Sequence, residues 1–122
     1  MDWIINGFIV LGLLWFITQK MIPAKGIKQM STEELKKIAG DKKRQFIDVR
    51  TPMEFKGNHI KDFKNIPVSQ LSKRVNELSK EKEVVVICQS GMRSNKASRI
   101  LKKAGFNEIT NVQGGMASWS RQ

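Results

Sequence analysis

The chain contains one cysteine, Cys88, which directly follows the apolar run Val84–Ile87. Gly91 and Arg93 stand shortly after it, and Ser94 then begins a segment with helical spacing. Successive backbone N–H groups in a tight loop can bind an anion, and a following helix points its positive end at the same place. An arginine adds a permanent positive charge. These features all stabilise a thiolate over a thiol, so the pattern predicts a nucleophilic cysteine.

The cysteine count limits the chemistry that is open to the chain. A lone cysteine excludes an intramolecular disulfide and any zinc site that needs two or more thiolates, and no metal or other cofactor is expected. Gly91 can adopt the positive φ that a tightly curled loop requires. The alternative role for Cys88 is structural, because a cysteine that ends an apolar strand is often only a small buried residue.

The segments that must hold this loop alternate between strand and helix. Strands are predicted over Ile27–Met30, Gln45–Val49, Val84–Ile87 and Ile109–Val112. The strand Val84–Ile87 is apolar on both faces, which is typical of a parallel sheet in an α/β fold with helices on both sides. Reactive groups in such sheets lie at the carboxyl ends of the strands, where Cys88 stands.

Helices are predicted between these strands. The first opens at Ser31 with a capping box and ends at Gly40, and a second, short helix opens at Thr51 with Pro52 in its first position. Further helices are predicted over residues 69–78, over residues 94–104 and at the end of the chain. Their alternation with the strands favours a sheet that is covered by helices on both faces.

The N-terminal segment has a different composition from the rest. The stretch from Trp3 to Gln19 contains no charged residue and is mostly large and apolar. A helix of about 20 residues spans ~30 Å, the thickness of a hydrocarbon core. We therefore predict one transmembrane helix, an anchor over residues 1–22, followed by the α/β domain over residues 23–122. A cleaved signal peptide is the alternative, but the basic residues that precede its apolar run are missing here.

The charges that flank this segment predict its orientation. Asp2 lies on one side, whereas Lys20, Lys25 and Lys28 lie on the other. The positive-inside tendency then places the C-terminal part in the cytoplasm. The expected location is the cell membrane, crossed once, with the lipid bilayer as a partner and the free thiol in a reducing compartment.

Four blocks of sequence stand in a fixed order along the rest of the chain. They are Ile47–Arg50 with Glu54–Ile60, then Phe63–Pro67, then the C-x-x-G-x-R loop Cys88–Arg93, and finally Asn111–Met116 followed by Trp119. In these blocks residues 27–122 resemble a single-domain rhodanese, a member of a sulfurtransferase family. Phe63 departs from the family pattern, which has a small residue at that position.

The resemblance implies a rhodanese-like parallel sheet flanked by helices, and a catalytic role for Cys88. Cys88 would accept sulfane sulfur as a persulfide from a small anionic donor such as thiosulfate and pass it to a thiol or a cyanide-like acceptor. Substrate binding is expected from the residues that follow the cysteine, namely Gln89, Ser90, Gly91, Met92 and Arg93. The expected supporting residues are Asp48, Arg50 and Ser94. Since the chain has no second cysteine, the acceptor must be external.

Two other residues of the matching blocks are interpreted as framework. Glu54 fits a cap at the N-terminus of its helix, where a carboxylate is favourable. His59 fits a structural role in a turn better than the role of a general base. Neither residue is therefore expected to take part in the chemistry.

Two alternative functions stay open beside the enzyme. One is a membrane-tethered persulfide carrier or protein-docking module without significant turnover of small molecules. The other is a phosphatase, which the loop disfavours. The related cysteine phosphatases have one residue more between cysteine and arginine, and they tend to carry a histidine where this chain has Ile87. The shorter loop from Cys88 to Arg93 favours sulfur over phosphoryl substrates.

The chain is strongly basic, with 22 Lys and Arg against 11 Asp and Glu and a formal net charge of +11. The basic clusters Lys42–Arg44, Lys73–Arg74 and Lys102–Lys103 are scattered and have no exposed aromatic residues between them for stacking on bases. We interpret them as solvated helix faces, with attraction to an anionic leaflet as the second possibility. No nucleic-acid partner is expected.

Overall fold

The computed structural model describes residues 2–21 and 26–120, with side chains over residues 3–15 and 26–120. The boundary predicted between residues 22 and 23 lies outside the described residues. The first described helix, α1, spans Asp2–Met21. The other described segment, residues 26–120, folds around one sheet.

Five parallel strands form this sheet in the order β1-β5-β4-β2-β3. Their bounds are Lys28–Met30 for β1, Arg44–Asp48 for β2, Lys64–Asn65 for β3, Glu83–Ile87 for β4 and Ile109–Val112 for β5. The apolar strand β4 lies at the centre, so the prediction of a parallel α/β sheet is confirmed. The two-residue edge strand β3 was not predicted, because so short a pairing leaves no periodic pattern in the sequence.

Four helices of the domain connect these strands, and a fifth follows β5. They are α2 over Thr32–Ile38, α3 over Pro52–Gly57, α4 over Val68–Arg74, α5 over Met92–Lys103 and α6 over Gly115–Trp119. The capping box predicted at Ser31 is confirmed, and α3 opens with a second one at Thr51. The segment predicted as one helix over residues 69–78 tightens into a 3-10 turn over Val75–Glu77.

The core has two layers, one on each face of the sheet. Alternate residues of β4 point to opposite faces, so Val84 and Val86 pack with Leu71 of α4 and Leu101 of α5. The intervening Val85 and Ile87 pack on the other face, where α2 and α6 contribute apolar side chains. Because β4 is covered on both faces, its carboxyl end is held rigidly, and Cys88 follows directly after it.

Within the part of the chain that the structure describes, no helix has the length and hydropathy that a membrane crossing requires. The transmembrane helix predicted over residues 1–22 therefore gains no support from the structure. The bilayer as a partner and the membrane location stay predictions.

Candidate active site

Cys88 lies at the carboxyl end of β4 and its side chain is fully buried. The Gly91 N–H donates a hydrogen bond to Cys88 Sγ at 2.8 Å. The thiol donates to Ser94 Oγ at 3.3 Å, and the Ser94 hydroxyl donates to the Gly91 carbonyl oxygen at 3.0 Å. The structure thus brings together the predicted residues Cys88, Gly91 and Ser94. The sulfur accepts a hydrogen bond from a backbone N–H.

The N-terminus of α5 faces this loop and has no side-chain cap. Helices α2 and α3 both begin with a capping box that contains a glutamate, whereas the first turn of α5 has no acidic residue. The first amides of a helix have no acceptor within it, and the helix dipole makes this end positive. Cys88 Sγ accepts the N–H of the N-cap residue Gly91, which is the place that a capping carboxylate takes in α2 and α3.

Gly91 is the N-cap residue of α5 and has a φ of +107°. This left-handed conformation is one that residues with a Cβ rarely adopt. The expectation that the loop uses the freedom of Gly91 is confirmed. The helix begins at Met92, two residues before the predicted start at Ser94, because Gly91 turns the chain directly into the helix.

Arg93 does not point freely into the loop. Its guanidinium forms a two-pronged ion pair with the Glu54 carboxylate, with Nη2 at 2.9 Å from Oε2. The hydrogen bond from Arg93 lowers the pKa of Glu54 to about 2, and the pKa of Arg93 is raised above its ordinary value by the same bond. Glu54 also closes the capping box with Thr51, as its expected role as a cap requires. The link from Glu54 to Arg93 is a contact that the sequence pattern did not reveal.

Arg50 and Asp48 form a buried ion pair beside the loop, with Nη2 at 2.8 Å from Oδ2 and side chains only 4% and 1% exposed, respectively. Arg50 also donates to the Asn58 carbonyl oxygen at 2.6 Å and reaches Gln89 Oε1 at 3.4 Å. The Asn65 amide bonds the carbonyl oxygens of both Asp48 and Arg50. The pair therefore ties the ends of β2 and β3 to the loop after Cys88, as a supporting role requires.

The N-terminus of α6 holds the loop from the other side. The N–H groups of Met116 and Ala117 donate to the carbonyl oxygens of Cys88 and Gln89 at 2.8 and 3.0 Å. A Cβ on Gly115 would lie 2.2 Å from the Cys88 oxygen, so the contact requires glycine. The sequence reasoning did not assign this packing role to Gly115, although the pair Gly114–Gly115 shortly after β5 was its signal.

The remaining predicted residues lie on the surface of the site or away from it. Gln89 and Ser90 are exposed, and the side chain of Met92 is 81% exposed. His59 stacks on Phe55, and its Nδ1 lies 2.7 Å from the Phe55 carbonyl oxygen. This geometry agrees with a structural role for His59.

A cavity of about 260 Å³ lies next to the loop. Loop residues and uncharged polar side chains line it: Gln29, Ser90, Gly91, Met92, Asn95, Asn111, Gln113 and Gly114. Because none of these residues is charged, the cavity suits the neutral part of a substrate. Among the described side chains, no group of three or more His, Cys, Asp and Glu could hold a metal ion.

The arrangement has the chemistry of a nucleophilic thiol. The Gly91 N–H and the uncapped start of α5 both face Cys88 Sγ, and groups of this kind favour negative charge on sulfur. The same donors can stabilise a second sulfur atom that is bonded to Sγ and carries the negative charge.

Comparison with known proteins identifies the family. The family model for the rhodanese-like domain matches residues 31–122. The protein YqhL of Bacillus subtilis is 40% identical over 116 residues, which cover 95% of this chain and 87% of YqhL. A sulfurtransferase of Allochromatium vinosum is 30% identical over 96 residues, which cover 78% of this chain and 90% of that protein.

Solved structures show the same architecture. The crystal structure of a rhodanese-like domain protein from Staphylococcus aureus has a TM-score of 0.70 and 33% identity, and the match covers 75% of this chain and 90% of that one. The human single-domain sulfurtransferase TSTD1 has a TM-score of 0.71 at 24% identity, covering 77% and 96%, and this likeness concerns the fold. The chain therefore belongs to the rhodanese-like family of sulfurtransferases and sulfur carriers.

Proposed function

We propose that the protein is a sulfurtransferase that moves sulfane sulfur from a thiosulfate-like anion through a persulfide on Cys88. The Cys88 thiolate attacks the outer sulfur of thiosulfate, a new S–S bond forms, and sulfite leaves with the electron pair of the broken S–S bond. Cyanide or a thiolate then attacks the outer sulfur of the persulfide. Thiocyanate or a new persulfide forms, and Cys88 leaves as a thiolate.

The observation that carries this proposal is the hydrogen bond from the Gly91 N–H to Sγ at the uncapped start of α5. These groups stabilise negative charge on sulfur both before and after the outer sulfur is gained. The first product of the reaction is therefore held in the same loop as the thiolate that formed it.

An assay of thiocyanate formation from thiosulfate and cyanide tests the enzyme. The wild-type protein is expected to produce thiocyanate well above the uncatalysed rate, and Cys88→Ala to produce none above it. Equal rates for the two proteins would contradict the proposal.

A carrier that delivers its sulfur to a protein is the second candidate, and the state of Arg93 favours it. The ion pair with Glu54 occupies both terminal nitrogens of the guanidinium, which leaves less of it for a small anion. A carrier would keep a stable persulfide on Cys88 in the presence of small thiols and cyanide. Rapid turnover with small thiols or cyanide would support the enzyme and contradict the carrier.

We also propose that α1 attaches the protein to a lipid bilayer, with the rhodanese-like domain on the cytoplasmic side. Large apolar side chains from Trp3 to Trp15 are exposed, including Phe8 at 71% and Leu11 at 64%. The alignment with YqhL covers 95% of the chain, so it extends into this helix. Moving this many exposed apolar side chains from water into the apolar interior of a bilayer is favourable in free energy.

Flotation with phosphatidylcholine vesicles tests this attachment. The full chain is expected to float with the vesicles, whereas a variant with Phe8→Glu and Leu11→Glu is expected to stay in the dense fraction. A variant with Lys42→Gln and Lys43→Gln, which lowers the net charge by the same amount, controls for charge alone. A full chain that does not float would overturn the attachment.

A further inference from the structure

The domain exposes two large apolar side chains within its described part, and both lie beside the site. They are Met53, which is 85% exposed, and Met92, which is 81% exposed. Met53 lies in the first turn of α3, and Met92 begins α5. Other large apolar side chains of the described domain are buried or partly buried, so this placement is specific to the site.

The ion pair between Glu54 and Arg93 fixes the two methionines relative to each other. Met53 directly precedes Glu54 in α3, and Met92 directly precedes Arg93 in α5. Since the paired side chains join the first turns of the two helices, Met53 and Met92 lie on adjacent helix ends, and Met92 lines the cavity beside the loop that follows Cys88. We call Met53 and Met92 the methionine rim.

Each methionine shares a helix face with an exposed lysine. Lys56 follows Met53 by three residues, and Lys96 follows Met92 by four, which are the spacings of neighbours on one helix face. Both lysines are exposed, and no carboxylate among the described side chains forms an ion pair with either. Glu54, the acidic residue nearest to them in α3, is already paired with Arg93.

The surface around the loop is thus apolar at its centre and positive outside, while Cys88 itself is fully buried. We propose that the methionine rim, with Lys56 and Lys96, docks a protein acceptor whose reactive cysteine lies in an apolar patch bordered by carboxylates. Apolar contact at the centre and charges at the border are the usual composition of a transient protein interface. This role rests on the proposed function, because the partner receives the sulfur held on Cys88.

The transfer step is balanced without a further reactant. The partner thiolate attacks the outer sulfur of the Cys88 persulfide, and a bond forms between these two sulfur atoms. The bond from the outer sulfur to Sγ breaks, and Sγ leaves as a thiolate with the electron pair. No oxidant or reductant is required, because a persulfide is consumed and a persulfide is formed.

A charge-reversal experiment with the full chain tests the docking role. The protein is loaded with thiosulfate, and sulfur transfer is timed to two peptides that carry the same cysteine between leucines, one bordered by four glutamates and the other by four lysines. The quantity of interest is the ratio of the two rate constants. Comparing this ratio between protein variants cancels the different thiol pKa values of the two peptides.

The wild-type protein is expected to have a higher ratio of acidic to basic peptide than a variant with Lys56→Glu and Lys96→Glu, by about tenfold at low salt. Added salt should reduce the difference, because the charges are exposed. The control variant with Lys42→Glu and Lys43→Glu has the same net charge but is altered before β2, at the opposite end of the sheet. Its ratio is expected to remain within about twofold of wild type.

Met53→Ser tests the apolar part of the surface. It is expected to slow transfer to both peptides by about threefold to tenfold while their ratio is unchanged, since it removes apolar contact without altering charge. An unchanged ratio in the Lys56→Glu, Lys96→Glu variant, with normal persulfide on Cys88, overturns the docking role alone. Absence of the persulfide in wild type overturns the proposed function, and the docking role with it.

Discussion

The environment of Cys88 Sγ is set by backbone groups more than by charged side chains. The Gly91 N–H lies 2.8 Å from Sγ, whereas the nearby guanidinium of Arg93 is bound to Glu54. Arg93 thus acts first as a link between α5 and α3, and its positive charge is partly neutralised at the loop. We therefore expect Glu54 to tune the affinity of the site for anions.

Replacing Glu54 with Gln should strengthen the binding of an anionic donor. The amide removes the negative charge beside Arg93, so we expect the KM for thiosulfate to fall by about twofold to fivefold. Steady-state kinetics with thiosulfate as the varied substrate measures this change. Asp41→Asn, which alters an ion pair at the other end of the sheet, serves as a control. A higher KM in Glu54→Gln would show that orientation of Arg93 matters more than its charge.

The same variant should change the dependence of stability on pH. The pKa of Glu54 is lowered from an ordinary 4.5 to about 2 in the folded protein. Its ion pair therefore stabilises the fold above about pH 4.5, and this contribution is lost as the pH falls towards 2. Urea unfolding should show Glu54→Gln to be less stable by about 0.5–1 kcal/mol at neutral pH, with the difference vanishing in acid. A difference that is constant with pH would contradict this assignment.

Asp48→Asn should destabilise the protein strongly. The substitution leaves the guanidinium of Arg50, which is 3% exposed, without its carboxylate. Removing one partner of a buried ion pair costs about 3–5 kcal/mol, whereas an exposed pair contributes roughly 0–1 kcal/mol. Denaturant unfolding should therefore separate Asp48→Asn from the control Asp41→Asn. Similar losses in the two variants would mean that Asp48 does not hold Arg50 as described.

Some helices and strands of the fold could be predicted from the sequence, and others could not. Ile109–Val112 was predicted as a strand with the bounds it has, because a short run rich in β-branched residues before a glycine turn is a strand signal. The capping boxes at Ser31 and Thr51 were also readable, since a cap is a contact between residues three apart. The strand Lys64–Asn65 was not, because it exists only through its pairing with β2.

The sequence likewise predicted only part of the candidate site. The loop Cys88–Arg93 was predicted because its residues are consecutive in the sequence and form one motif. The pairing of Arg93 with Glu54 and the contact of Gly115 with the Cys88 carbonyl join distant parts of the chain. Such contacts depend on how helices pack, which local patterns do not determine.

Gly115→Ala should disrupt the loop through α6. Its Cβ would meet the carbonyl oxygens of Cys88 and Gln89 at 2.2 and 2.8 Å, and its φ is +56°. We expect a loss of about 2 kcal/mol or more in the free energy of unfolding, together with slower persulfide formation. Gly57→Ala is the control, because a Cβ there meets nothing within 4 Å. Equal stability of the two variants would contradict the close approach of α6 to the loop.

The molecule combines an exposed apolar helix with a domain whose two core layers draw on residues from Ile27 to Trp119. We expect the domain without residues 1–25 to fold and to form the persulfide at a rate within about twofold of the full chain, because the loop contacts all lie inside it. Circular dichroism and the loading reaction check this. A shortened chain that fails to fold would show that α1 contributes to the domain.

The central claim is that the loop after β4 lets Cys88 accept sulfane sulfur as a persulfide and pass it on. Mass spectrometry of the intact protein after treatment with thiosulfate tests it most directly. We predict that wild type gains the mass of one sulfur atom, that the added sulfur lies on the peptide containing Cys88, and that cyanide removes it. Cys88→Ser should gain nothing under the same conditions. A wild-type protein that stays unmodified, or a Cys88→Ser variant modified to the same extent, would contradict the account.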